Sequence, residues 1–274
     1  MSDELDIQPA LVGELLISFL REEVSSAGLS RAVVGLSGGV DSAVTAALCA
    51  RAFGPEHVLC CLLPYRLSSP NSERDAQLVA ERLGTKTRRI DISCMADGYL
   101  DQERIADSLR VGNVLARCRM IVLYDLSVEW KGLVIGTSNK TEILLGYSTQ
   151  WGDSAHAVNP LGDLYKHQIY QLARHLELPA EVITKAPSAD LAEGQTDEDD
   201  LGFTYEDADR VLIRMIEGRR RADELVAEGS DPELVRRIAH RVVTNQFKRL
   251  PPVIAKLQRR SIQHDFRYLR DWLR

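Results

Sequence analysis

The chain has 274 residues, of which 45% are hydrophobic and 27% charged, a composition typical of a globular protein large enough to bury its own core. Its formal net charge of −6 argues against a surface built for extended contact with nucleic acid. The chain contains no run of the roughly 20 apolar residues that a membrane helix requires, and its N-terminus is acidic, unlike a secretory signal. We therefore predict a cytoplasmic protein that binds neither membrane nor nucleic acid.

The cysteines and histidines are scattered along the chain. The cysteines contain no Cys-x-x-Cys pair, and most lie among apolar residues, which predicts buried reduced thiols and neither a zinc site nor a redox pair. They are Cys49, Cys60, Cys61, Cys94 and Cys118. The six histidines likewise show no spacing typical of a metal site.

The N-terminal part of the chain predicts a helix, a strand and a second helix. Apolar residues recur at helical spacing over residues 7–26. The apolar run 32–34 predicts a buried strand, and residues 43–51 are strong helix formers without a breaker. The segment between this strand and the second helix consists of Gly35, Leu36, Ser37, Gly38, Gly39, Val40, Asp41 and Ser42.

This glycine-rich segment has the composition of a phosphate-binding loop. Its adjacent glycines allow a tight turn that presents backbone N–H groups, and the following helix adds the positive end of its dipole. Ser37 and Ser42 supply hydroxyl donors, whereas the carboxylate of Asp41 suits a phosphate site only if it holds a Mg²⁺ that also binds phosphate oxygens. The alternative is a turn that binds no ligand and is N-capped by Asp41. The lysine of a Walker A loop is missing, and residues 37–42 instead resemble the pyrophosphate loop of the N-type ATP pyrophosphatases.

Later apolar runs predict further strands of a parallel sheet. The candidate strands are residues 58–64, 88–92 and 133–137, and residues 112–130 predict one long helix, whereas the polar residues 96–109 are less decisive. A strand, a helix and a strand in this order imply parallel pairing. Ligands of such sheets bind beyond the carboxyl ends of the strands.

The residues that follow the strand at 133–137 extend the predicted nucleotide site. Thr137 ends this strand, and Glu142 would be the second carboxylate for the Mg²⁺ that Asp41 binds. The alternative is a solvent-facing glutamate at a helix start. Lys166 stands near the start of another predicted helix, against the preference of the helix dipole, which indicates a nearby anion unless the side chain is simply solvated.

The C-terminal third begins with a long acidic segment. Residues 187–200 predict either a solvated, disordered loop or a mobile lid that orders when substrate binds. Helical patterns follow at residues 205–217, 219–227 and 232–246. Residues 247–274 carry eight basic and two acidic side chains, so the preceding chain has a net charge of −12.

Six motifs, in this order and at this spacing, resemble those of the NAD⁺ synthetase family. They are residues 35–42, 112–120, 136–142, 159–166, 187–198 and 248–252. The resemblance implies an α/β fold, an open, doubly wound and mainly parallel sheet flanked by helices (adenine nucleotide alpha hydrolase-like), with additional C-terminal helices. It also implies a single domain over residues 1–258, followed by a basic C-terminal extension over residues 259–274.

For function, the resemblance implies the ATP-dependent amidation of deamido-NAD⁺ by ammonia. The nicotinate carboxylate attacks the α-phosphorus of ATP, pyrophosphate leaves, and ammonia displaces AMP from the acyl adenylate. The family also implies a homodimer in which the second subunit contributes to the site.

The resemblance assigns roles to residues by position. Asp41, Lys166 and Thr137 would be catalytic, and Asp41 and Glu142 would hold Mg²⁺. The ATP contacts would be residues 35–42 together with Thr137, Lys166 and Ser188. The deamido-NAD⁺ contacts would be Arg117, Gln150, Ala157, Phe247 and Lys248.

Three of the acceptor positions depart from the family pattern. Gln150 stands where a lysine is common, Ala157 where an aspartate is common, and Phe247 in place of a histidine. The departures leave open ordinary divergence, a paralogue that adenylates and amidates a different carboxylate, and a non-catalytic ATP-binding sensor. The acidic body and the lack of Cys-x-x-Cys argue against an enzyme that modifies tRNA. Because the predicted core begins near residue 30, we expect no glutamine-hydrolysing domain, and free ammonia or a separate ammonia-supplying protein would provide the nitrogen.

Overall fold

A parallel β-sheet organises the protein. The computed structural model describes residues 4–187 and 196–262. Within these residues the sheet has four strands, in the spatial order β3-β2-β1-β4, and all neighbouring strands are parallel. The strands are β1 (Ala32–Gly35), β2 (Val58–Leu62), β3 (Lys86–Arg89) and β4 (Leu133–Ile135).

The strand order creates a crevice at one edge of the sheet. The chain runs outward from β1 through β2 to β3, and then returns to place β4 on the other side of β1. Val34 therefore pairs with Cys60 on one side and with Ile135 on the other. Crossover connections on either side of such a reversal leave a gap beyond the carboxyl ends of β1 and β4, and ligands of open α/β sheets bind in such a gap.

Thirteen helices accompany this sheet within the described residues. The first seven are α1 (Pro9–Ser26), α2 (Val40–Phe53), α3 (Pro70–Leu83), α4 (Ser93–Gln102), α5 (Ser108–Trp130), α6 (Lys140–Leu145) and α7 (Lys166–His175). The last six are α8 (Ala180–Thr184), α9 (Asp197–Leu201), α10 (Tyr205–Ile216), α11 (Ala222–Ala227), α12 (Pro232–Thr244) and α13 (Gln246–Arg249).

The apolar side chains form a core on each face of the sheet. Val34 and Cys60 point to the face that α1, α2 and α7 cover, whereas Val33 and Leu59 point to the face that α4 and α5 cover. This alternation follows from the period of two in a strand, and burial on both faces explains the unbroken apolar runs of β1 and β2. A third apolar cluster joins α10, α11 and α12 to the end of α6. The predicted fold class is confirmed, including the additional C-terminal helices.

Several predicted boundaries were wrong. Helix α5 begins at Ser108 instead of residue 112, because the Asp107 side chain accepts a hydrogen bond from the N–H of Arg110 (2.8 Å) and caps the helix. Strand β3 begins two residues early and ends at Arg89; its four residues are all exposed, as suits an edge strand with charged side chains. The undecided segment 96–109 contains the end of α4 and the start of α5.

The remaining differences concern the cysteines and the C-terminal region. Cys49, Cys60, Cys61 and Cys118 are buried free thiols, as predicted, while Cys94 is exposed. The helix predicted over residues 232–246 ends at Thr244, and the short α13 follows. No helix in the described part of the chain is long and apolar enough to cross a membrane.

Candidate active site

A large cleft opens at the carboxyl ends of β1 and β4. Its volume is about 1160 Å³, and its lining includes both strand ends, the start of α3, the middle of α5 and the first residues of α6 and α7. Of the predicted ATP loop, every residue but Gly38 lines this cleft. Thr137, Glu142 and Lys166 line it as well. The reversal of strand order therefore brings together loops that lie about a hundred residues apart in the chain.

The glycine-rich loop leaves the first turn of α2 open to an anion. The N-cap of α2 is Gly39, and no side chain caps the helix, so the first backbone N–H groups have no side-chain acceptor there. Asp41 lies inside the helix and is not its N-cap, which removes the ligand-free interpretation that relied on such a cap. Ser42 donates a hydrogen bond to the carbonyl of Gly39 (2.9 Å) and accepts one from the N–H of Ser37 (3.2 Å), which closes the turn.

Gly38 is required by the geometry of the loop. Its φ angle is +81°, a left-handed conformation that favours glycine. A Cβ at this position would lie 2.3 Å from the carbonyl oxygen of Ser72 at the start of α3. The loop therefore rests directly on the backbone of α3.

Asp41, Glu142 and Lys166 form an ionic cluster at the base of the cleft. The Nζ atom of Lys166 lies 2.6 Å from Oδ2 of Asp41 and 3.3 Å from Oε1 of Glu142. Lys166 is only 3% exposed. Its ammonium therefore contacts two carboxyl groups that follow different strands, and the interpretation as a solvated lysine was wrong.

Asn139 orients both carboxylates of the ionic cluster. Its Nδ2 donates to Oδ1 of Asp41 (2.8 Å), and its Oδ1 accepts from the N–H of Glu142 (2.9 Å) as the N-cap of α6. Oε2 of Glu142 in turn accepts from the N–H of Asn139 (3.3 Å), completing a capping box. Glu142 therefore faces the cluster, and the interpretation as a solvent-facing glutamate was wrong.

Burial and charge shift the protonation of this cluster. Burial, followed by the negative charge of Asp41, raises the pKa of Glu142 to about 8. Burial disfavours the charged form of Lys166, but the carboxylates of Asp41 and Glu142 outweigh this effect and raise its pKa above the ordinary lysine value. Burial and the charge of Asp41 thus favour a proton on Glu142, while Lys166 remains a cation between the two carboxyl groups.

A buried aspartate that sequence reasoning missed holds α6, α7 and α10 together. Oδ1 of Asp209 accepts a hydrogen bond from the hydroxyl of Thr141, and Oδ2 accepts one from the N–H of His167 (2.8 Å). The hydroxyl oxygen of Thr141 also accepts from the N–H of Lys166 (3.0 Å). Burial raises the pKa of Asp209 to about 6, against the opposing effect of these hydrogen bonds. The sequence contained one signal for this role. Asp209 is a charged residue beside the apolar positions Ala208, Val211 and Leu212 of an amphipathic helix.

A second missed group forms an aromatic and acidic wall next to Lys166. The ring centre of Tyr205 lies 4.8 Å from Nζ of Lys166, a cation–π distance. The Tyr205 hydroxyl donates to Asp197 (3.1 Å), and the Tyr147 hydroxyl donates to Asp197 (3.2 Å) and Asp200 (3.1 Å). Asp197 and Asp200 belong to the acidic segment that the sequence predicted as a loop, but they lie in the short helix α9.

The predicted acceptor residues fall into two groups. Arg117, Gln150, Phe247 and Lys248 line the cleft. Ala157 is exposed and is not among the residues that line it; its N–H donates to the carbonyl of Val134 (2.9 Å), beside the bridge between Ile135 and Val158. Ser188 lies outside the described residues.

The arrangement defines a class of protein. An open parallel α/β sheet carries a glycine-rich loop with a free helix N-terminus, and an ionic cluster lies beside it, a site suited to a polyphosphate. Within residues 4–187 and 196–262 no three or more histidine, cysteine or acidic side chains are grouped to hold a metal ion unaided. The class is therefore that of the adenine nucleotide alpha hydrolase-like proteins.

Comparison with known proteins narrows this class to one family. The NAD synthase family model matches residues 12–252. The chain is 50% identical over 268 residues to the NH(3)-dependent NAD(+) synthetase of Chlorobium phaeobacteroides (strain BS1), covering 98% of this chain and 97% of that protein. It is 51% identical to the protein of the same name from Trichlorobacter lovleyi, covering 98% of each. The chain belongs to the NAD synthase family.

Solved structures agree with this assignment. An NMN synthetase from Francisella tularensis superposes with a TM-score of 0.82 at 30% identity, covering 92% of this chain and 100% of that one. An NH3-dependent NAD synthetase from Campylobacter jejuni, solved in complex with a nitrate ion, superposes with a TM-score of 0.78 at 35% identity over the same shares.

Proposed function

We propose that the protein converts deamido-NAD⁺ to NAD⁺ with ATP and ammonia, releasing AMP and pyrophosphate. The observation that carries this proposal is the Asp41–Lys166–Glu142 cluster, which lies beside a phosphate-type loop in a cleft large enough for two nucleotides. The names of the relatives supply the reaction, which is the formation of a carbon–nitrogen bond by a ligase.

The first chemical step is attack by the nicotinate carboxylate on the α-phosphorus of ATP. A bond forms between the carboxylate oxygen and phosphorus, the bond to the bridging oxygen breaks, and pyrophosphate leaves. Two anions must meet, so catalysis depends on alignment and on neutralising charge, with little need for a protein nucleophile. The N–H groups at the start of α2 bind phosphate oxygens, Thr137 supplies a further contact, and Lys166 stabilises charge at the transferred phosphorus.

Ammonia then attacks the carbonyl carbon of the acyl adenylate. The carbon–nitrogen bond forms as the bond to AMP breaks, and a proton leaves the nitrogen. Asp197 lines the cleft beside Lys166, and the buried Tyr205, which donates to Asp197 and packs on Lys166, holds both side chains in place. We propose free ammonia, or ammonia from a separate protein, as the nitrogen source.

The two cluster carboxylates suit Mg²⁺ in the presence of nucleotide. Asp41 and Glu142 already share one cation, the Lys166 ammonium, and a magnesium ion bound with a polyphosphate typically takes one or two protein carboxylates. When bound, the ion would neutralise phosphate charge.

The proposal also covers the residues that contact each substrate and the assembly of the protein. ATP contacts come from residues 35–42, Thr137, Lys166 and Ser188. Acceptor contacts come from Arg117, Gln150, Phe247 and Lys248; the exposed Ala157 would contact the acceptor only across a subunit boundary. We further propose a cytoplasmic homodimer, with residues 1–258 as one domain and residues 259–274 as an extension.

The similarity to the Francisella tularensis structure suggests a second acceptor that should be tested. That protein is described as an NMN synthetase, so its product is the amidated mononucleotide. Its superposition on this chain favours nicotinic acid mononucleotide as the alternative acceptor, in which the same carboxylate is adenylated.

The test is turnover of the purified protein with ATP, Mg²⁺ and ammonium. With deamido-NAD⁺ we expect one AMP and one pyrophosphate per NAD⁺, and a lower kcat/KM with the mononucleotide. Glutamine should not replace ammonium.

Asp41→Asn should lower kcat/KM by about 100-fold or more, because it removes a charged group at the reaction centre. Arg174→Met, an exposed substitution on α7, should leave kcat/KM unchanged. The proposal is contradicted if deamido-NAD⁺ elicits no pyrophosphate release, or if the mononucleotide is the better acceptor.

A further inference from the structure

The cleft is rich in basic side chains, and nearly all of them are already engaged. Eight lysines and arginines line it within the described residues. Four of them pair with carboxylates: Arg66 with Asp97, Arg89 with Glu73, Lys166 within the ionic cluster, and Lys185 with Asp75. Such cations neutralise the protein's own charge before any substrate binds.

Three more basic side chains donate to main-chain carbonyls. Arg117 donates to the carbonyl of Gln150 (3.1 Å), and Arg119 donates to that of Leu63 (3.1 Å). Nζ of Lys248 donates to the carbonyls of Gly146 (2.7 Å) and Ser148 (2.8 Å). Lys248 thus fastens the turn after α6, and two of its three donors are used for that purpose.

Arg241 is the exception among the eight. Its side chain has no hydrogen bond or ion pair with any residue in the ranges 4–187 and 196–262, and its Nε is buried without a partner. Burial also lowers its pKa from the usual arginine value, although the group remains a cation. The buried Nε donor is costly, because it has lost its hydrogen bonds to water without gaining an acceptor in the protein.

The position of Arg241 separates it from the phosphate loop. It lies on α12, which packs against α6, α10, α11 and α13, whereas the loop rests on α3. Its charge acts on Tyr147, Asp200 and Tyr205, the aromatic and acidic wall beside Lys166. An anion at Arg241 would therefore lie beside this wall, on a helix that packs away from α3 and the glycine-rich loop.

The backbone around Arg241 is firmly held. Nδ2 of Asn245 donates to the carbonyl of Arg241 (3.1 Å) and also to that of Leu145 (3.1 Å) at the end of α6. This bridge fixes the last turn of α12 relative to the end of α6. A guanidinium on such a rigid support is preorganised to receive a ligand.

We propose that Arg241 binds an anionic oxygen group of the amide acceptor, a carboxylate or a phosphate, by charge-assisted hydrogen bonds. This proposal rests on the proposed amidation and names a residue for its acceptor half. It also gives Lys248, in addition to its proposed acceptor contact, a positioning role in the turn at residues 146–148. Among the acceptor positions predicted from the sequence, Gln150 and Phe247 are uncharged, and the cations of Arg117 and Lys248 are engaged, so Arg241 supplies the charge that the acceptor requires.

The test compares Arg241→Met and Arg241→Lys with the matched control Arg236→Met. Arg236 is an exposed residue of α12 that pairs with Glu233 and does not line the cleft. We expect Arg241→Met to raise the KM for deamido-NAD⁺ by about 10- to 100-fold while the KM for ATP changes by less than about threefold, since a charge-assisted hydrogen bond is lost at one substrate only. Arg241→Lys should recover part of this loss.

Two further measurements are the affinity for deamido-NAD⁺ in the absence of turnover and the KM for a second acceptor. Calorimetric titration of deamido-NAD⁺ into each folded variant should show the same weakening, and a thermal melt verifies folding. Repeating the KM measurement with nicotinic acid mononucleotide shows which part of the acceptor Arg241 binds. If the KM rises for both acceptors, Arg241 binds the nicotinic acid mononucleotide half that they share. If the KM rises for deamido-NAD⁺ alone, Arg241 binds its adenylate half. An unchanged acceptor KM in Arg241→Met, or an equal rise in the KM for ATP, contradicts the inference. A wild-type protein without turnover contradicts the proposed function instead.

Discussion

Individual residues of the cleft show how closely backbone and chemistry are linked. Gly38 is held in a left-handed conformation against the carbonyl of Ser72, so the phosphate loop and α3 share one surface without side chains between them. Lys166 is held between Asp41 and Glu142 with almost no exposure. A side chain added at Gly38 would displace the glycine-rich loop, and a change of charge at Lys166 would leave Asp41 and Glu142 without their cation.

Gly38→Ala tests this linkage at the residue scale. The substitution places a methyl group 2.3 Å from the Ser72 carbonyl and imposes a left-handed conformation on alanine. We expect unfolding free energy to fall by at least about 1–2 kcal/mol and kcat/KM for ATP to fall by about tenfold or more, since the loop must move.

Gly98→Ala is the matched control for this substitution. Gly98 lies inside α4, and a Cβ there meets nothing within 4 Å. Alanine favours a helix interior over glycine, so this variant should gain up to about 1 kcal/mol of stability and keep full activity. Urea denaturation and steady-state kinetics on both variants provide the comparison; a fully active, undestabilised Gly38→Ala variant would show that the loop does not need its left-handed residue.

At the scale of elements, the site depends on how helices meet. Thr141 on α6 and Asp209 on α10 are 68 positions apart, yet their hydrogen bond, together with that from the N–H of His167, aligns the starts of α6 and α7. The starts of these helices carry Glu142 and Lys166. Asp209 thus positions two members of the ionic cluster without contacting the cleft itself.

The protonation of Asp209 predicts a pH dependence of stability. Its folded-state pKa of about 6 lies above the ordinary aspartate value, so the folded protein binds the proton more tightly than the unfolded chain. The resulting contribution is present at low pH and is lost as pH rises through about 6. In Asp209→Asn this contribution is missing.

The measurement is urea denaturation of wild type and Asp209→Asn between about pH 4 and pH 8. We expect the stability difference, wild type minus variant, to decrease by at most about 3 kcal/mol as the pH rises to about 6 and to level off above it. Ile216→Ala, a substitution on the same helix that removes no titratable group, should show no such trend. A difference independent of pH would mean that Asp209 titrates as it does in the unfolded chain.

The sequence predicted local elements better than the contacts between them. The glycine turn before α2, the buried strands β1, β2 and β4 and the amphipathic helices follow from glycine content and apolar periodicity within short windows. Asp209 and the wall of Tyr147, Tyr205 and Asp197 could not be predicted in the same way, because their roles depend on partners far along the chain. The exposed strand β3 was misplaced because an edge strand needs no apolar pattern.

On the scale of the whole molecule, one face of α5 remains apolar and exposed. Ile121, Tyr124 and Val128, which lie at helical spacing on one side of α5, are 53%, 39% and 78% exposed, respectively. Ile121 lies one helical turn beyond Arg117, which lines the cleft. Exposed apolar groups along one helix favour contact with a second copy, and that contact would bring the partner close to the acceptor end of the cleft.

Ile121→Glu tests the proposed homodimer. Light scattering should give twice the 30.6 kDa mass of the chain for the wild type and the single mass for the variant, since a buried unpaired carboxylate disfavours association. Leu11→Glu, an exposed site on α1 that lies across the sheet from α5, should remain a dimer. We also expect a higher KM for deamido-NAD⁺ in the monomeric variant; a wild-type monomer would contradict the proposal.

The tethered ammonium of Lys166 has a consequence for the order in which ligands arrive. The carboxylates of Asp41 and Glu142 already have a counter-ion that cannot diffuse away, so a divalent ion arriving alone finds its ligands occupied. With a nucleotide bound, phosphate oxygens would give Lys166 an alternative partner, and Asp41 and Glu142 would then be the residues to hold the ion. The resting protein should therefore be indifferent to chelators, and its affinity for magnesium should depend on the nucleotide.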